Sequence, residues 1–161
     1  MTRIQAGGGG YQQRREGGHR PNQGGAPITV LFDPDKPEQE LYDTLAETQA
    51  QALQINSSQL RKFFGEAKDL YRQFNALTAA ATNDTEKDRV YRERIEARFR
   101  MLRSKVSYAQ RRGGQAPLDD GFATFLKQAI QKVKNHQHFV RFILHFEAVV
   151  GFMYGLGKVR S

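Results

Sequence analysis

From residue 37 onward, apolar residues recur at three- and four-residue spacing, the signature of helices with one buried face. The clearest case is residues 84–112. At roughly 100° per residue, Tyr91, Ile95, Phe99, Leu102, Val106 and Ala109 share one stripe, wide enough to face a core. Before it, from Ser58 to about Ala81, Leu60, Phe63, Phe64, Ala67, Leu70, Tyr71, Phe74 and Leu77 form an aromatic-rich face. A first helix begins at Pro37, with Glu38 and Glu40 near the positive end of its dipole. Its stripe is modest: Leu41, Leu45 and Ala52, with Tyr42 beside them. A fourth helix, capped by Asp119 or Asp120, turns Phe122, Phe125, Leu126, Ala129, Ile130 and Val133 inward. The fifth follows Asn135 and is apolar nearly all round from Phe139 to Met153, which suits the middle of a bundle.

The punctuation agrees with this division. Asn56-Ser57-Ser58 and Thr82-Asn83-Asp84 supply N-cap oxygens, Gly113-Gly114 a helix stop and Pro117 a loop. There is no period-two strand pattern and no internal repeat. The expected fold is all-α, a compact bundle of about five helices. Residues 1–27 hold most of the glycines and almost no apolar side chains, so they cannot bury enough surface to order themselves. Ile28 to Phe32 reads as a short extended segment able to dock on the body. The expected division is a disordered Gly/Arg-rich arm over 1–32 and a helical domain over 33–161. Tyr11, Arg14, Arg15, His19 and Arg20 among the glycines make that arm either a plain flexible tail or a source of loose RNA contacts.

Charge changes the picture next. The 161 residues carry a formal net charge of +8, unevenly spread. Residues 33–56 hold one Lys against six acids, while 84–112 hold ten Lys and Arg against five acids. A basic body with one acidic segment points to a polyanion and, for the acidic part, a basic protein surface. On the third helix, Lys87, Arg94, Arg98 and Lys105 form a flank with no acid in it, and Arg61, Lys68 and Arg72 form a similar row on the second. The other flank of the third helix, Arg89 to Arg103, is diluted by Glu96 and reads as solvent or subunit contact. Lys and Arg rows at helical spacing, with no helix-turn-helix or zinc signature, fit backbone contacts to nucleic acid better than base readout.

Catalytic chemistry finds no foothold. The chain has no Cys, hence no disulfide, thiolate metal site or Cys nucleophile. His136, His138 and His145 lack further ligands at fixed spacing and read as satisfied polar positions at a helix edge. The separation of Arg141 and His145 is too short for the Arg–His pair of helical ribonucleases. Gly151 to Lys158 imitates a phosphate loop but has one residue too many, Val159 in place of the hydroxyl and a helix upstream. Capping explains Asp119/Asp120, and a proline turn Asp33/Asp35. No enzyme, cofactor or metal is expected. The amino terminus has no apolar signal core, and the run from Phe139 to Leu156 is too charged to span a bilayer, so a cytoplasmic protein is expected.

Three segments carry a resemblance. Residues 57–68 (SSQLRKFFGEAK), 101–111 (MLRSKVSYAQR) and the closing helix, with FVRF at 139–142 ahead of HFEAVV at 145–150, resemble the small subunit of type III-A CRISPR (Csm) interference complexes. The match runs in order from about Asn56 to Met153. Ser104 stands where the family pattern has Pro, and the Gly-rich arm lies outside the pattern. The resemblance implies a non-catalytic RNA-binding subunit, several copies of which line the groove where target RNA pairs with crRNA. They would contact RNA backbone without sequence choice. Implied partners are single-stranded target RNA and the crRNA–target duplex, other copies of the chain, the crRNA-binding backbone subunits and the large subunit. Arg61, Lys62, Lys68, Lys105 and Arg111 match the family's basic positions; Arg94 and Arg98 join them from the helical wheel alone. A type III-B or type I-E small subunit, or a scaffold acting through protein–protein contacts, are the alternative readings.

Overall fold

The computed structural model describes residues 27–111 and 116–159. The arm before residue 27, Arg112 and the Gly113-Gly114 stop lie outside them. Five helices and no strand occur among the described residues. Helix α1 passes through Glu40–Thr44 and Leu45–Ala52. Helix α2 is Ser57–Thr78. Helix α3 is one continuous run made of Asp84–Val90, Tyr91–Ile95 and Glu96–Gln110. Helices α4 and α5 are Asp120–Lys132 and His136–Gly155.

The starts follow the capping chemistry. Asn56, Asn83, Asp119 and Asn135 each accept the backbone N–H three residues on, at 2.8, 2.9, 3.2 and 2.8 Å. At α5 the His138 ring nitrogen also accepts the N–H of Lys134, the residue before the cap, at 3.1 Å. The same helix ends on a left-handed Gly157, φ 72°. Its N–H bonds the Tyr154 carbonyl at 3.1 Å while the Lys158 N–H bonds that of Met153 at 3.0 Å, the paired bonds of a Schellman stop.

Two helices carry a wider π turn, and the apolar spacing explains why. In α3 the Glu96 N–H reaches back to the Tyr91 carbonyl. The steps Tyr91–Ile95–Phe99 are four residues each, which in a regular helix is a drift of roughly 80° across the buried face. The extra residue in the turn absorbs that drift, and all three side chains are buried. In α1 the Leu45 N–H bonds the Glu40 carbonyl, and the register slips by one. Leu41, Ala46, Gln49, Ala50 and Leu53 are therefore buried, whereas Leu45 is half-buried and Ala52, expected in the stripe, is exposed.

Helix α5 lies at the centre, touching α1, α2, α3 and α4. Its Phe139 meets Phe99 edge-on at 5.0 Å, Phe142 meets Phe32 at 5.6 Å and Phe146 stacks on Phe125 at 5.9 Å. The segment from Ile28 to Phe32 docks as its apolar residues suggest. Phe32 is fully buried, and the buried Gln49 amide accepts the Leu31 N–H at 2.7 Å and donates to the Thr29 carbonyl at 3.2 Å. Lys132 and Arg141 hold the carbonyls of Phe32 and Pro34 at 2.9 and 2.7 Å. Residues 27–32, grouped above with the arm, thus include part of the packed body.

His145 is not at a helix edge. It is completely buried, its ring 5.4 Å from that of Phe32, and Nδ1–H donates to the Leu41 carbonyl at 2.6 Å. Burial pushes its pKa down, against the pull of that hydrogen bond, so the imidazole is neutral. His145 sits at the midpoint of α5 on its inward side, away from the exposed line of Gln137, Glu147, Gly151 and Gly155.

Candidate nucleic-acid interface

The cations of α3 sort by which neighbour their flank meets. Arg92 and Arg100 point toward the start of α5 and the end of α4. Arg100 donates to the Val133 carbonyl at 2.9 Å and Arg92 to that of Lys134 at 3.3 Å. Arg92 also pairs with Asp88 at 2.7 Å. Asp88 in turn accepts the His136 N–H at 3.1 Å, its ring lying at 3.3 Å. Burial alone would raise the Asp88 pKa; the hydrogen bonds from Arg92 and His136 outweigh it and hold the carboxyl below the usual range. On this flank Arg92 and Arg100 are thus engaged by contacts within the chain, while Arg89 and part of Arg92 remain exposed to solvent.

The opposite side is different. From Arg94 to Arg111 the outward strip of α3 consists of Arg94, Ala97, Arg98, Met101, Ser104, Lys105, Tyr108 and Arg111, all exposed and none acidic. Arg94, Arg98 and Arg111 have no carboxylate partner among the described residues. Arg98 and Lys105 line a groove of about 300 Å³ between α3 and α2, shared with Glu66, Asp69, Leu70, Met101 and Leu102. Lys105 is paired there with Glu66 at 2.9 Å. The α3 row carries no acid of its own, but α2 lends it one.

The basic positions of α2 divide between two sides. Lys62 lies toward α3, lining a second groove of about 230 Å³ with Asn56, Gln59, Phe63 and Ala109. Its ammonium sits 5.8 Å from the Phe63 ring. Arg61, Lys68 and Arg72 occupy the other flank. Lys68 turns to α5, pairing with Glu147 at 3.3 Å and lying over the rings of Phe64 and Tyr71 at 6.0 and 5.5 Å. Arg72 is paired with Asp69 at 2.7 Å, so the row does contain a working acid, reached one turn back. Arg61 is exposed without such a partner among the described residues. The structure therefore gathers Arg94, Arg98, Lys105 and Arg111 on one strip with Lys62 beside it, and leaves Arg61 and Lys68 on another face.

Two side chains on the strip, quoted above only within the 101–111 motif, were not among the candidate contact residues. Met101 is 53% exposed and Tyr108 71%. Their signal was present in the wheel, as large apolar residues lying off the buried stripe. Among the described residues no three His, Cys, Asp or Glu are grouped to hold a metal ion, and no helix is long and apolar enough to cross a membrane.

A family model described as Csm2 Type III-A matches residues 36–154. That span takes in α1 to α4, α5 as far as Tyr154 and each of the seven basic positions named above. Comparison with curated proteins and with solved structures finds no match.

Proposed function

The chain belongs to the Csm2 Type III-A family, the small subunits of type III-A CRISPR effector complexes, and we propose that it acts there as a non-catalytic RNA-binding subunit. Several copies lie along the crRNA–target groove and hold RNA backbone without reading sequence. The observation that carries this reading is the outward strip of α3, where Arg94, Arg98 and Arg111 stand exposed with no acid on the strip. Like charges held this close repel one another, and a polyanion relieves that cost. The helix supplies Lys and Arg at phosphate-reaching positions and no group able to move a proton at neutral pH, so its chemistry is grip. Lys62 extends the cationic surface onto α2, and Arg61 and Lys68 offer a second basic face. Lys68 and Lys105 take part as paired cations, whose acids Glu147 and Glu66 an incoming phosphate must displace.

The test is a filter-binding titration against salt with two unrelated single-stranded RNAs. Replacing Arg94, Arg98 and Arg111 with Ala is expected to weaken both RNAs alike. It also lowers the log–log salt slope by about 2, at about 0.7 per lost phosphate contact. Unchanged affinity would remove these residues from the interface. A wild-type protein that assembles with its partner subunits yet binds no RNA would favour a scaffold role instead.

A further inference from the structure

We propose that Tyr108 is a base-stacking platform, so that the α3 strip prefers an unpaired nucleotide to a continuous duplex; this deepens the RNA-binding reading and rests on it. A solvent-facing tyrosine with no structural task is unusual in this molecule. The other tyrosines of the described helices are buried or half-buried, whereas Tyr108 is 71% exposed. It does not stack on another ring, lie under a cation or make a side-chain hydrogen bond among the described contacts. Leaving that ring in water costs apolar hydration, which contact with a partner removes.

The surroundings define the partner's chemistry. Lys105 lies three residues before Tyr108 and Arg111 three after, which places a cation one helical turn to either side. Met101, two turns back and 53% exposed, continues the apolar line toward Arg98 and Arg94. An aromatic ring flanked by cations fits a strand that offers a phosphate, then a base face, then a phosphate. A basic helix that only tracked a duplex backbone would need the cations and not the ring, because paired bases keep their faces inside the stack. An acidic peptide would satisfy the charges but has no flat face for the phenol. Stacking is tolerant of base identity, which agrees with binding that lacks sequence choice.

The experiment uses the full chain, a single-stranded RNA carrying one 2-aminopurine, and a blunt RNA duplex of the same length. Tyr108→Ala is expected to lower single-strand affinity about tenfold to a hundredfold, to leave duplex affinity within about twofold, and to abolish quenching of the 2-aminopurine. Tyr108→Phe keeps the affinity and the quenching. The salt slope is the discriminating readout: it stays unchanged in Tyr108→Ala, because no phosphate contact is lost, and falls in Arg98→Ala. An exposed side chain can be removed without unfolding the protein, and a thermal melt of each variant checks this. Equal loss on single strand and duplex, or wild-type affinity in Tyr108→Ala, overturns the proposal while leaving the backbone-binding reading in place. Failure of the wild-type chain to bind either RNA overturns both.

Discussion

Arg98 and Arg100 are two residues apart on one helix, and their fates are opposite. Arg100 reaches across to the Val133 carbonyl at 2.9 Å and helps close the turn between α4 and α5. Arg98 stands exposed at the mouth of the α2–α3 groove with no carboxylate partner among the described residues. The same contrast separates Arg92, tied to Asp88 and the Lys134 carbonyl, from Arg94, which faces outward. The lesson is that a basic helix can serve two purposes at once. One flank organises the chain's own loops, and the other is left free for a partner. Composition counts both flanks equally, so the net charge of α3 overstates what is available to RNA.

Two substitutions on α3 probe that division, beginning with the stripe that both flanks depend on. Phe99 is fully buried against Phe139 and Phe142, so Phe99→Ala is expected to cost about 3–5 kcal/mol, read as a lower urea midpoint. A loss below about 1 kcal/mol would mean that α3 is not packed on α5 as described. Next comes the inner flank. Arg100→Ala removes a charge-assisted bond to a part-buried carbonyl and is expected to cost about 1–2 kcal/mol, toward the low end because the side chain is partly in water. The same variant binds RNA as the wild type does; reduced RNA affinity in a fully folded sample would erase the distinction between flanks.

The smallest effect concerns pH. His145 is neutral in the folded core and has its pKa lowered from the ordinary 6.5, so the unfolded chain takes up a proton before the folded one does. Stability is therefore full above that ordinary value and declines as pH falls through it toward the depressed folded value. The slope is at most about 1.4 kcal/mol per pH unit for this one group. His145→Gln is expected to flatten the decline between about pH 7 and the onset of carboxylate protonation. An identical slope in the variant would show that another group titrates there.

Much of the fold was legible because capping and periodicity are local. Asn56, Asn83 and Asn135 cap helices where the sequence offers them, and the α3 stripe is buried residue for residue. What escaped was non-local or out of period. The π turn in α1 shifts the buried set to Ala46 and Ala50, which a regular 3.6-residue wheel cannot anticipate. His145 looked like an edge position because its burial depends on how three other elements close around α5. Glu66 and Glu147 come to Lys105 and Lys68 from other helices, so an acid-free row on one wheel says nothing about acids delivered across a groove. Tyr108 was visible as an apolar residue off its stripe, but only the exposed strip around it gives that oddity a meaning.

The central claim, that the outward strip of α3 and not its inner flank grips RNA, reduces to one paired measurement. The salt dependence of single-stranded RNA affinity is compared for an outer variant, Arg94, Arg98 and Arg111 to Ala, and an inner one, Arg92 and Arg100 to Ala. The outer variant is expected to lose about 2 from the log–log slope and keep its melting midpoint. The inner variant keeps its slope and melts earlier. If the inner variant loses the slope, or the outer one keeps it, RNA does not bind where this account puts it.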